Sequence, residues 1–179
     1  IQVIAATGHG NGLYCLDRSG AGMLAIQSTD SRAATLADTL ANSLVGQGIA
    51  KISLQQPWPA QTPTILAALK QLQPELYERI GTVFFCKDYI NYFLTSTIST
   101  EVTDMGGAGM LQLPETRYSD ALLEHYGIVE LAGSLPPLVA PMLLRRPLMR
   151  SDEANASRAI AAERAGATND VLQCCCCGC

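Results

Sequence analysis

The chain has 179 residues, 48% hydrophobic and 16% charged, with a net charge of −4. That length suits one domain with a real core, and the acidic balance offers no basic face for nucleic acid. No apolar run reaches the roughly 18 residues that a membrane helix needs, and no basic n-region or signal h-region opens the sequence.

Ile1 to Ala6 is a short apolar run with β-branched residues, which predicts a buried strand. The chain starts there with Ile rather than Met, so it reads as a fragment; a processed mature chain is the alternative. Thr7-Gly8-His9-Gly10-Asn11-Gly12 follows. Its alternate glycines let backbone bend and come close to a ligand. His9 and Asn11 carry donors and acceptors that can meet hydroxyl groups. A buried strand ending in glycines and polar side chains is where open α/β sheets hold small ligands. A tight strand connection without a ligand has the same spacing.

Leu13 to Asp17, a turn at Arg18-Ser19-Gly20, and Ala25 to Arg32 come next. From Ser31 the pattern turns helical, with Leu36, Leu40 and Leu44 as one apolar stripe that Gly46 and Gly48 end. Asp30 can cap that helix or contact a ligand. Ile49 to Leu54 is ambiguous, and Gln55 to Pro63 is a loop broken by prolines. Trp58 on that loop either lies against an apolar ligand face or plugs the core surface.

Thr64 to Leu72 reads as a helix with Ile65, Leu66, Leu69 and Leu72 on one face. Pro74 starts another turn, with Glu75 where negative charge is favoured, and Gly81 ends it. Thr82 to Cys86 is a buried strand, and Lys87 to Leu94 a helix whose Tyr89, Tyr92 and Phe93 belong to the core. Lys87 and Asp88 read as a cap and a surface ion pair. Thr95 to Gly109 is a polar, glycine-rich loop with neither a phosphate-loop pattern nor a dinucleotide fingerprint. Ser119 to His125 is a helix closed by Gly127, with His125 favoured by the helix dipole.

Cys15 and Cys86 read as buried small hydrophobes. Cys174 to Cys177 and Cys179 do not match the spacing of zinc ligands, so no metal residues are assigned. The remaining sequence reads as cytosolic and reduced, which makes the expected location cytoplasmic.

Gly8-His9-Gly10-Asn11-Gly12, Cys15-Leu16-Asp17, Gly20 and Ala25-Ile26-Gln27-Ser28-Thr29-Asp30-Ser31-Arg32 fall in an order and spacing that resembles the FGGY carbohydrate kinases. The resemblance is greatest to their L-xylulose kinase branch. Pro74-Glu75-Leu76-Tyr77, Lys87-Asp88-Tyr89-Ile90, Leu94-Thr95 and Thr103-Asp104 extend it, and it stops after about Pro141. The resemblance implies a partial RNase-H-like, actin-like α/β domain at residues 1–141, with a mixed sheet flanked by helices. Residues 142–179 would then be a divergent, disordered Ala/Arg/Cys-rich tail.

By resemblance, the activity is transfer of the γ-phosphoryl group of ATP to a ketopentose such as L-xylulose, with ATP and Mg2+ bound by the full-length family and neither by this fragment. His9 takes the place of the family's Gln, Gly10 that of Met and Asn11 that of the sugar-binding His. Asp30 and Arg32 match its Asp-x-Arg pair, and Trp58 and Gln61 lie on a loop that approaches the sugar in the related kinases. No residue here matches the family's catalytic Asp, so the fragment alone is expected to be inactive. The implied partner is a small sugar or polyol, with no nucleic acid and no membrane; a homo-oligomer is allowed. A non-catalytic carbohydrate-binding module and a Cys-tailed metal-binding or interaction protein are the alternatives.

Overall fold

Leu13 and Cys15 alternate with Tyr14 and Leu16, so one short strand has two apolar faces to bury. In the computed structural model, which describes residues 4–140, that strand is β1 (Leu13–Asp17). It lies between β2 (Gly22–Ile26) and β3 (Ile80–Phe84), antiparallel to both. The β1–β2 turn is held by one carboxylate oxygen. Asp17 Oδ1 accepts from the Ser19 backbone N–H at 2.8 Å, the Ser19 hydroxyl at 2.6 Å and the Ala21 N–H at 3.0 Å.

One face of the sheet joins the main core. There Leu13, Cys15 and Ile26 meet residues of α2 (Leu44–Ser53), α3 (Thr62–Leu72) and α7 (Asp120–Tyr126), including Ile49, Ile65 and Leu122. On the other face Tyr14, Leu16 and Phe84 lie against Tyr89 and Tyr92 of α5 (Cys86–Thr95). Smaller elements complete the fold: α1 (Ala34–Ala41), α4 (Pro74–Glu78), β4 (Thr100–Glu101), α6 (Val102–Gly107), β5 (Leu111–Gln112), β6 (Arg117–Tyr118), a 3-10 turn at Val129–Ser134, and β7 (Leu138–Val139). β4 pairs parallel with β7, and β5 antiparallel with β6. The α/β class agrees with the sequence reading. The one parallel pairing among the described residues lies in the separate β4–β7 pair.

Several boundaries differ from the sequence reading. Residues 4–6 are not strand, and Ile4 and Ala5 are exposed; no described strand pairs with them. The single helix expected after Ser31 is two, α1 and α2, broken at Asn42–Ser43. Ser43 caps α2 by accepting from the Gly46 N–H at 3.0 Å. Leu44 is therefore a first-turn residue, 82% exposed, and leaves the expected stripe. Gly46 does not end a helix; it lies within α2, where a Cβ would come within 2.0 Å of the Leu40 carbonyl oxygen. Glycine is what lets the two helices turn this tightly. Asp30 does not cap α1, whose N-cap is Ala33 without a side-chain bond; its Oδ1 accepts instead from the Arg32 backbone N–H at 2.9 Å, ahead of the helix. The helix closed by Gly127 is as expected, with Gly127 at φ 69°. Replacing Ser43 with Ala should cost ~1 kcal/mol of stability by chemical denaturation. An unchanged midpoint would show that this cap holds nothing.

The residue 141/142 boundary and the cysteine run from Cys174 lie outside the described residues. Cys15 and Cys86 are both free thiols, Cys15 wholly buried in the central strand and Cys86 half-buried. Among the described residues no helix is long and apolar enough to cross a membrane.

Candidate functional site

Strand pairing collects the site. Leu13 pairs with Ile26 and Tyr14 with Phe84. The chain before β1, after β2 and after β3 therefore leaves the sheet at one end. The loop ending at Gln61 and the first residue of α3 are tied to that end from both sides of Gly12: the Gly12 N–H donates to the Ala60 carbonyl at 3.1 Å, and the Thr62 hydroxyl donates to the Gly12 carbonyl at 2.7 Å. His9, Gly10, Asn11, Asp30, Arg32, Trp58 and Gln61 thus all stand on segments that meet at one edge.

Within the turn, Asn11 has φ 62° and Gly12 φ 75°. Asn is one of the few side chains that tolerate the left-handed region. These two residues fold the chain back so that His9 lies over β1, where its Nε2 and the Tyr14 hydroxyl are 3.1 Å apart. Gly8 packs on the start of α5; a Cβ there would lie 3.0 Å from Cys86 Cβ. Around Gly10 a Cβ would meet nothing within 4 Å, so that side of the turn is open.

Two side-chain atoms of this turn, His9 Nδ1 and Asn11 Oδ1, are shielded from solvent and have no hydrogen-bond partner. An unsatisfied buried polar atom costs on the order of 1–3 kcal/mol. Two of them in one turn leave hydrogen-bonding capacity unmet by the protein itself.

The other expected residues are bound up differently. Both oxygens of Asp30 accept from Arg32, Nε at 2.8 Å and Nη2 at 2.9 Å. The Arg32 guanidinium holds the Asp30 carboxyl below its usual range. Trp58 is 38% exposed at the loop surface. Gln61 is 0% exposed and ties inward. Its Oε1 accepts from the Tyr126 hydroxyl at 3.2 Å, and its Nε2 donates to Gln55 at 3.4 Å. As placed, it braces the loop that carries Trp58.

Lys87 and Asp88 correct the expectation of a surface pair. The Lys87 and Asp88 side chains are 15% and 0% exposed. Lys87 Nζ lies 2.6 Å from Asp88, 2.8 Å from Asp104 and 3.9 Å from Glu101. Asp88 also accepts from the Thr100 hydroxyl at 2.6 Å and, weakly, from the Phe85 N–H at 3.4 Å. The capping half of the expectation therefore stands, while the pair is interior because α6 brings Asp104 over it. Tyr14 is the contact that the sequence reading missed. It was visible only as one residue of an apolar strand, and the turn that brings His9 back to it depends on the two left-handed residues.

A hollow of about 450 Å3 opens at the opposite end of β1, between Arg18, Lys70, Tyr77, Glu78 and Glu130. Several of its polar atoms are already paired, Lys70 with Glu130 at 2.6 Å and the Tyr77 hydroxyl with Glu130 at 2.8 Å.

Comparison with known proteins gives the chain a family. The sequence model described as "FGGY family of carbohydrate kinases, N-terminal domain" matches residues 1–142. The chain is 29% identical over 140 residues to a probable L-xylulose kinase of Haemophilus influenzae, covering 78% of this chain and 29% of that protein. It is 27% identical over 137 residues to the L-xylulose/3-keto-L-gulonate kinase of Escherichia coli, covering 76% and 28%. Among solved structures, the xylulose kinase of Brucella ovis superposes with a TM-score of 0.75 at 25% identity, covering 85% of this chain and 31% of that one. The gluconate kinase of Lactobacillus acidophilus superposes at 0.76 and 20% identity, covering 95% and 32%, a likeness of fold. The chain spans less than a third of the length of these relatives.

Proposed function

Because the chain belongs to the FGGY family of carbohydrate kinases, matching their N-terminal domain, we propose that it is the sugar-holding part of an ATP-dependent kinase for a ketopentose such as L-xylulose. The observation that carries this reading is the pair of unpartnered buried atoms, His9 Nδ1 and Asn11 Oδ1, in one turn. Sugar hydroxyls both donate and accept, so one or two of them complete that bonding. Asp30 and Arg32 form a two-bond ion pair on the segment after β2, Trp58 offers an exposed aromatic face on the loop, and Gln61 braces that loop.

Phosphoryl transfer depends on placement and charge neutralisation, ATP supplying the phosphoryl group and Mg2+ offsetting its charge. Among the described residues no group of three or more His, Cys, Asp or Glu side chains is placed to hold a metal ion. The carboxylates of Asp88, Glu101 and Asp104 already surround the Lys87 ammonium. We therefore assign ATP and Mg2+ to the part of the relatives' length that the match does not cover. The same reading makes the protein cytoplasmic, with reduced thiols and no need of nucleic acid or membrane.

Titration of the chain with L-xylulose, D-xylulose and glycerol, followed by the fluorescence of its one tryptophan, tests this. Saturable binding of a ketopentose is expected, together with no ADP release from ATP. Asn11→Gly should weaken binding by about 1–3 kcal/mol, roughly 5- to 150-fold, without lowering stability, since it relieves a left-handed residue. Equal binding by Asn11→Gly would remove Asn11 from the site.

A further inference from the structure

Tyr14 stands on the central strand, buried among Leu16 and Phe84 and in ring contact with Tyr89. Its ring has little freedom to move. Its hydroxyl lies 3.1 Å from His9 Nε2, and the two rings are 5.8 Å apart at 46°. A neutral imidazole has one N–H and one acceptor nitrogen, so a bond at one nitrogen decides the role of the other. A phenol is a far better proton donor than an imidazole N–H, and an imidazole nitrogen is a strong acceptor. The favoured arrangement has the Tyr14 O–H donating to Nε2.

We propose that Tyr14 is a positioning residue that fixes His9 as the Nδ1–H tautomer, so that the turn presents a donor at His9 Nδ1 and an acceptor at Asn11 Oδ1. This rests on the sugar-holding reading above and deepens it. A donor and an acceptor two residues apart complement a hydroxyl, which accepts from one and donates to the other. They discriminate against groups that can only accept, such as a carboxylate, which the Asn11 oxygen would repel. Tyr14 itself touches no ligand; it acts through the imidazole.

The chain has two histidines, His9 and His125, so long-range proton–nitrogen correlation on histidine-labelled protein resolves both rings. For the ligand-free wild type, a His9 ring protonated at Nδ1 is expected. Tyr14→Phe keeps the ring and removes the hydroxyl. It should return His9 to the Nε2–H form that free histidine favours, leave His125 unchanged, and weaken ketopentose binding about tenfold, the worth of one hydrogen bond. An Nε2–H signal for His9 in the wild type overturns the proposal, and that measurement decides even where Tyr14→Phe does not fold. A changed tautomer with unchanged sugar affinity also overturns it. Absence of saturable sugar binding by the wild type overturns the underlying reading, and the two failures are distinguishable because the tautomer is read without ligand.

Discussion

Replacing Lys87 with Met should destabilise the chain by about 3–5 kcal/mol, the size expected when one partner of a buried ion pair is removed. The reason is what stays behind. Asp88, with a fully buried side chain, would keep its bond from Thr100 but lose its counter-charge, while Asp104 and Glu101 would face it unneutralised. The cluster joins the start of α5 to β4 and α6, and β4 carries the pairing to β7. The variant should therefore lose the β4–β7 pair first, visible as faster amide exchange at Thr100, whose N–H donates to the Pro137 carbonyl, and at Val139. Asp88→Asn in the Lys87→Met background should recover part of the loss.

The pH dependence has a definite sign. Burial pulls the Lys87 ammonium towards lower values, and its bonds to Asp104 and Asp88 more than reverse this, leaving it above the ordinary lysine value. A lysine held above its unfolded pKa contributes fully below about pH 10.4 and loses that contribution as pH rises through the folded value. Wild-type stability should fall at strongly alkaline pH more steeply than that of Lys87→Met. A loss under about 1 kcal/mol for Lys87→Met would be the behaviour of a solvated surface pair and would refute the interior network.

Gly12→Ala should cost about 2–5 kcal/mol and abolish sugar binding. An L-residue in the left-handed region costs roughly 1–2 kcal/mol, and overpacking against fixed atoms adds roughly 1–3. Gly12 has φ 75°, and a Cβ there would come within 2.5 Å of the Ile26 carbonyl oxygen and 3.1 Å of the Ser28 nitrogen. Backbone atoms at and just beyond the end of β2 cannot rotate away as a side chain can. Gly12 is also pinned by Ala60 and by the buried Thr62 hydroxyl, so the turn cannot shift to make room. Denaturation and the sugar titration read both consequences. Wild-type affinity in this variant would show that the turn does not set the ligand contacts.

Much of the scaffold was legible because it follows short-range rules. Helical spacing marked α3 and α5, and Ser119 and Gly127 bracketed α7. The alternate glycines marked the turn that carries His9 and Asn11. What was not legible depends on approach between distant segments. Gly46 looks like a helix end because the sharp α1–α2 corner that brings it against Leu40 is not written in helical spacing. Lys87 and Asp88 looked solvated because nothing local says that Asp104 returns to cover them. The Tyr14–His9 bond needs two successive left-handed residues, and only Gly12 announces itself as one.

Cys15 offers one more use. Burial pushes its thiol far above the ordinary range, and only a thiolate attacks an alkylating reagent. Lying in the middle strand of three, it can react only when the sheet comes apart. Pulse alkylation, resolved peptide by peptide so that Cys86 and the C-terminal cysteines are counted separately, would time those openings. Added ketopentose should lengthen the interval between them if the ligand seats on the turn that leads into this strand.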